Sequence, residues 1–225
     1  MVYDFHTQTF HSDGSLSPVE LIRRAVVNGY RAVALTDHVG IGNLDEVLRQ
    51  VRRDCDLCRR YWDIVALPGV EITHVPPAAI AEVARAARAA GARVIVVHGE
   101  TLVEPVEAGA NLAAASCDEV DILAHPGHLT EDVARAALAH GVFIEVSARK
   151  GHSLGNGRTV QIARATGARL LLNSDAHDPG DLLTESFAWK VALGAGLTEV
   201  EAKVMLFDNA EALVRRAERA IAGMV

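Results

Sequence analysis

The sequence predicts an α/β chain folded as one barrel of about seven β/α units. Three observations carry this. Short Val-, Ile- and Leu-rich runs recur along the chain, each compact enough for a buried parallel strand. Amphipathic stretches with helix-start signals separate them, and such repetition implies a parallel sheet with right-handed crossovers. No linker, low-complexity block or composition shift divides residues 1–225, so they read as a single domain. Open doubly wound sheets and closed barrels both fit the alternation. The absence of a Gly-rich dinucleotide fingerprint after the first strand, together with the number of units, favours the barrel.

Strands are expected at residues 2–5, 31–35, 64–67, 93–97, 121–124, 142–146 and 169–172. The first helix starts at Ser17-Pro18-Val19-Glu20. Ser17 can cap, Pro18 suits the first helical position, Glu20 completes a capping box, and Gly29 ends the helix. Helical patterns follow at 43–61, 77–90, 130–140, 159–166 and 179–193. Thr198-Glu199-Val200-Glu201 opens a last helix with a second capping box. Cys55 and Cys58 have redox-motif spacing, but they lie in a charged helical stretch and read as structural.

Half of the residues are hydrophobic and 23% are charged, which is ample for a core and excludes a disordered class. The net charge of −7 argues against extended nucleic acid as a partner. Three cysteines exclude a disulfide scaffold. The N-terminal segment lacks the basic start and apolar core of a signal peptide. Apolar runs are interrupted well before a membrane span is reached. A cytoplasmic protein is expected.

Six of the seven predicted strands run into a metal-competent side chain. The first leads to His6-Thr7-Gln8 and His11-Ser12-Asp13-Gly14, the second to Asp37-His38 and the third to Glu71. His98 and His125 follow the fourth and fifth, and Asp175-Ala176-His177 the seventh. In a β/α barrel all of these converge on the C-terminal mouth. Imidazoles and carboxylates together suit Zn²⁺, Mn²⁺ or iron. Asp175 and His177, two apart on a strand, would share a face. Asp37 is a candidate for orienting a ligand histidine.

These segments resemble the PHP (polymerase and histidinol phosphatase) family. The resemblance rests on Asp4-Phe5-His6-Thr7-Gln8-Thr9, Ser12-Asp13-Gly14, Thr36-Asp37-His38, Gly69-Val70-Glu71, His98, Ala124-His125-Pro126-Gly127 and Ser174-Asp175-Ala176-His177, in order over almost the whole chain. It implies a distorted (β/α)7 TIM-like barrel with two or three divalent metal ions that hydrolyses phosphate esters with a metal-activated water. By position it places His6, Glu71 and Asp175 on one metal. Glu71 would bridge to a second, held by His98 and His125. Asp13, His38 and His177 would hold a third. The chain departs from the family at Gln8, where the pattern has a second histidine. A neutral amide oxygen is the poorer ligand, so the first metal site is expected to be weakened.

Arg149 and Lys150 follow the sixth strand and are candidates for binding a substrate phosphate. His128 and His152 are candidate proton donors to a leaving group. The expected activity is hydrolysis of a small phosphorylated substrate, histidinol phosphate being one example. Two alternatives remain at this point: amidohydrolase-type C–N cleavage, and a metal-binding or regulatory protein with weakened catalysis.

Overall fold

A computed structural model describes residues 1–222, with side chains described through Arg219. The strands are Val2–Asp4 (β1), Tyr30–Leu35 (β2), His38–Val39 (β3), Val65–Ile72 (β4), Val94–Val97 (β5), Ile122–Leu123 (β6), Phe143–Ser147 (β7) and Leu170–Asn173 (β8). Seven of them form a parallel sheet in the order β1-β2-β4-β5-β6-β7-β8, and the short β3 pairs with β4. The sheet curls until β8 meets β1. That seam is thin. It holds one bridge between Thr7 and Ala176, and the N–H of Phe5 donates to Asn173 Oδ1 at 2.9 Å. The result is a distorted, nearly closed barrel of seven parallel strands.

Strand side chains alternate between two apolar layers, so the strands read as continuous hydrophobic runs. Phe5, Ala32, Ala34, Leu67, Val94, Val96, Ile122, Phe143 and Leu171 fill the barrel interior. The intervening Val33, Leu35, Ile95, Val97, Ile144 and Leu172 face the helices. Those helices are Pro18–Val27 (α1), Leu44–Tyr61 (α2), Ile80–Ala90 (α3), Ala110–Ala115 (α4), Glu131–His140 (α5), Asn156–Thr166 (α6), Glu185–Gly194 (α7), Glu199–Lys203 (α8) and Ala210–Ala222 (α9). Cys55 and Cys58 are buried among the apolar residues of α2.

α9 has a separate task. Its Ala210, Leu213 and Ala217 pack into the interior cluster. Its Arg216 lies 3.2 Å from Asp121, just before β6, and 5.2 Å from the Phe143 ring centroid at the start of β7. The helix therefore covers the N-terminal end of the barrel, and the polar groups gather at the opposite end.

Several local expectations are corrected. Ser17 caps α1 by accepting the Glu20 N–H, but the Glu20 carboxylate pairs with Arg24 one turn on rather than closing a box. The helix expected at 179–193 breaks into a 3₁₀ turn, Pro179–Asp181, and α7, because Thr184 supplies a new N-cap by accepting the Phe187 N–H. The second capping box, Thr198 with Glu201, is complete; its helix passes through a π-helical stretch, Val204–Asn209, into α9. The two-residue β3 and the Ala-rich, side-chain-uncapped α4 carry too little pattern to be read in advance.

Candidate metal centre at the barrel mouth

The strand pleat delivers buried polar groups to the mouth. Glu71 continues the inward row of Leu67, Glu145 that of Phe143, and Asn173 that of Leu171. His6, His98 and His125 lie just past β1, β5 and β6. Among the described residues three non-glycines adopt left-handed backbone: His74, His125 and Asp175, with φ of 52°, 24° and 52°. All three line one cavity of about 350 Å³. Strain of this kind clusters where side chains are aimed at a ligand.

The donors form groups. His6 Nε2 lies 2.9 Å from Glu71 Oε2 and 3.6 Å from Asp175 Oδ1. His125 Nε2 lies 3.7 Å from Glu71 Oε1, on the other side of the same carboxylate. Asp13 Oδ1 lies 3.5 Å from His38 Nε2 and 3.1 Å from His177 Nε2. His98 makes no close approach to Glu71; its ring lies 4.5 Å from that of His125.

This donor set fits divalent cations. His6 Nδ1 contacts Glu145 Oε2 at 2.8 Å, and His177 Nδ1 contacts the Asp175 carbonyl at 2.9 Å. Both partners are acceptors, so both Nδ1 atoms donate, leaving each Nε2 turned toward a carboxylate. That is how supporting groups orient metal-binding imidazoles. Glu71 Oε1, Glu145 Oε1, Asp175 Oδ1, His6 Nε2 and His125 Nδ1 are buried without a hydrogen-bond partner. Such burial costs about 1–3 kcal/mol per group, and a cation held among them would offset it for Glu71, Asp175 and His6.

The electrostatics point the same way. Burial pushes the Asp175 carboxyl well above its usual range, and the neighbouring Glu71 and Glu145 add to the rise. Burial opposes ionisation of Glu71 too, but His6 and His38 outweigh it and hold Glu71 well below the usual range. Burial opposes charge on His38, yet Glu71 and then Asp13 push its pKa up to about 9. Histidines bind metal only when neutral, so uptake must expel that proton. Affinity for Mn²⁺ or Zn²⁺ is expected to rise with pH up to about 9. Calorimetry near neutral pH in buffers of different ionisation enthalpy should read proton release; uptake without release would contradict this.

Gln8 is fully buried but belongs to none of the donor groups. Its Nε2 donates to Glu71 Oε2 at 2.7 Å, and its Oε1 accepts from Ser12 at 3.3 Å. In this pose the amide braces a carboxylate ligand instead of serving as a ligand. Gln8→His would place an imidazole beside Glu71. It is expected to tighten one equivalent of metal at least about tenfold; identical occupancy in both proteins, read by elemental analysis after dialysis, would show the position to be dispensable.

The remaining candidates separate clearly. Arg149 and His152 line the cavity. Lys150 is exposed and does not, because the chain turns at Gly151 into a 3₁₀ segment, His152–Gly155. His128 is also exposed, lying beyond the turn at Gly127. Burial lowers the His152 pKa. Asp37 touches no histidine. It accepts from Thr9 N, Thr9 Oγ1 and Ser12 Oγ at 2.7–3.0 Å and so shapes the loop that carries Asp13. Gly14 closes that loop, where a Cβ would lie 2.3 Å from the Gln8 carbonyl oxygen. Asp175 and His177 both reach the cavity, but beyond the end of β8 and not through strand alternation. Asn173 and Glu104 are not marked by any motif of the sequence. For Asn173 the signal was available: it shares parity with Leu171.

Among the described residues no helix is long and apolar enough to cross a membrane. The PHP-domain family model matches residues 4–145. An uncharacterized protein of Methanocaldococcus jannaschii is 44% identical over 217 residues, covering 96% of this chain and all of its own. A protein of Thermoanaerobacter sp. named "probable phosphatase" is 26% identical over 226 aligned positions, 88% of each chain. A chain in the cryo-EM structure of archaeal ribonuclease P with mature tRNA superposes with a TM-score of 0.70 over 96% of this chain and 91% of its own; at 15% identity this is a likeness of fold. The family match begins at Asp4, two residues before His6, and runs through Glu71, His98 and His125 to Glu145, and with it the chain belongs to the PHP family.

Proposed function

We propose that the protein is a metal-dependent phosphoesterase that hydrolyses a small phosphate ester. The observation behind this reading is the mouth cavity, which Arg149 shares with members of the donor groups. A volume of about 350 Å³ suits a small phosphorylated metabolite such as histidinol phosphate. The phosphatase-named relative supports the same class. Divalent metals, when bound, lower the pKa of water and draw charge from the phosphate oxygens. His6, Glu71 and Asp175 are the residues to hold one, Glu71 and His125 a neighbour, and Asp13, His38 and His177 a third.

The rest of the chemistry falls to the chain's own groups. Arg149 Nη1 donates to the Asp175 carbonyl at 3.0 Å, and its Nε lies 3.5 Å from Asp175 Oδ2. These contacts set the guanidinium at the cavity wall, where its remaining N–H groups can grip phosphate oxygens. Glu145 holds the His6 ring, and Asn173 in turn donates to Glu145 at 3.0 Å. Arg149→Ala is expected to raise KM for p-nitrophenyl phosphate at least about tenfold with metal content unchanged. Unchanged kinetics would remove Arg149 from the site. A panel of phosphate esters, amides and lactones tests the reaction class, and faster turnover of the amides would replace this reading with the amidohydrolase one.

A further inference from the structure

We propose that Glu104 and His152 join His98 in an additional cation subsite, built from the loops after β5 and β7. This extends the metal-centre reading above and rests on it. None of the donors carried over from the family resemblance includes Glu104 or His152.

The Glu104 carboxylate spans two imidazoles. Its Oε2 lies 3.0 Å from His98 Nε2, and its Oε1 lies 3.5 Å from His152 Nε2. His74 Nε2 approaches the same Oε2 at 3.9 Å. Among the described residues Glu104 forms ion pairs with these histidines and with no Lys or Arg. His98 and His152 are only 5% and 6% exposed, and Glu104 reaches them from the rim of the cavity.

The tautomer of His98 makes the case. Its Nδ1 lies 3.2 Å from the Gly99 carbonyl oxygen, which can only accept. Nδ1 therefore carries a proton, and in the neutral ring Nε2 presents a lone pair to Glu104. A lone pair facing a carboxylate oxygen at 3.0 Å is repulsive unless a proton or a cation lies between them. His152 is anchored through its other ring nitrogen. Its Nδ1 contacts the Thr101 hydroxyl at 2.6 Å, which leaves Nε2 free to face both Glu104 and, at 3.7 Å, Asp175 Oδ2. The same Thr101 contact fastens the β5 loop to the β7 loop, so the carboxylate is carried on an anchored segment. His74, His98 and Glu104 bring donor atoms within 4.8 Å of one another, and His152 faces the second oxygen of the same carboxylate; imidazoles with a carboxylate suit Zn²⁺, Mn²⁺ or Fe²⁺. The arrangement adds donors on the β5–β7 side of a centre that has Gln8 in place of an imidazole on the β1 side.

The test needs no substrate. Wild type, Glu104→Gln and His152→Asn are stripped of metal, and each is titrated with Co²⁺ while the visible ligand-field bands are followed. Elemental analysis after Zn²⁺ loading gives stoichiometry, and circular dichroism checks the fold. Glu104 is 39% exposed, so its replacement should leave folding intact. Both variants are expected to lose one equivalent, or to bind it at least about tenfold more weakly, with altered Co²⁺ bands. Equal stoichiometry, affinity and spectra in all three proteins would overturn the proposal and leave a proton between His98 and Glu104. A wild type that takes up no metal would overturn it as well. A fully metallated wild type that hydrolyses no phosphate ester would sink the phosphoesterase reading while leaving this subsite standing.

Discussion

Glu71→Gln is expected to empty the buried half of the metal centre and to lower kcat/KM for a phosphate ester about a thousandfold. Glu71 has no solvent exposure, and its two oxygens meet His6, Gln8, His38 and His125. It is the acceptor shared by two donor groups, so its charge cannot be supplied from elsewhere. Gln preserves the volume and removes that charge. Several kcal/mol of stabilisation of developing phosphate charge is at stake, and each 1.36 kcal/mol is tenfold in rate. The substitution also removes the anion that keeps His6 and His38 charged in the metal-free protein, so their pKa values should fall. Elemental analysis and steady-state kinetics check the result side by side. A variant that keeps its metal and most of its turnover would show that Glu71 does not bridge.

Asp4→Ala should cost about 3–5 kcal/mol of stability. Asp4 is fully buried and accepts from Ser174 Oγ at 2.5 Å, Ser174 N at 3.0 Å, Tyr30 OH at 3.2 Å and His6 N at 3.4 Å. Those donors come from the ends of β1 and β8 and the start of β2, so one carboxyl fastens the thin seam of the barrel. Each donor left bare costs about 1–3 kcal/mol, with the longest contact contributing least. Burial raises the Asp4 carboxyl to about 6. The folded state therefore holds this proton more tightly than the unfolded chain, whose value is near 3.8. By linkage, the stability contributed by the protonated form is lost as pH rises from 3.8 to about 6. Asp4→Asn should flatten that slope while keeping one acceptor. Urea unfolding across this pH range reads both effects, and an Asp4→Ala shift below about 1 kcal/mol would mean that the seam does not depend on Asp4.

Most of the fold was legible in the sequence, because its elements are local. Buried parallel strands must be apolar on both faces, so β2, β5, β7 and β8 announce themselves as short hydrophobic runs. Capping residues act on backbone groups two or three positions away, so Ser17 and Thr198 mark their helices without knowledge of the rest. The donors at the strand ends were legible for a related reason: a parallel barrel sends every strand's C-terminal end to one mouth, so order along the chain becomes position in the site.

What only the tertiary structure decided depends on groups that meet across long sequence distances. The role of Gln8 turns on a carboxylate 63 residues away, and the orientation of His6 on Glu145, 139 residues away. Glu104 lies in a loop with no periodicity, and its neighbours His98 and His152 meet it only once the β5 and β7 loops are fastened together. Asp4 falls within a strand pattern that says nothing of its four donors, and α9 carries no mark of the barrel end it covers. A side chain's type and local period determine where it lies along an element. Its protonation, its partner and its ligand are set by the dielectric and the charges around it, and those exist only after the chain has closed.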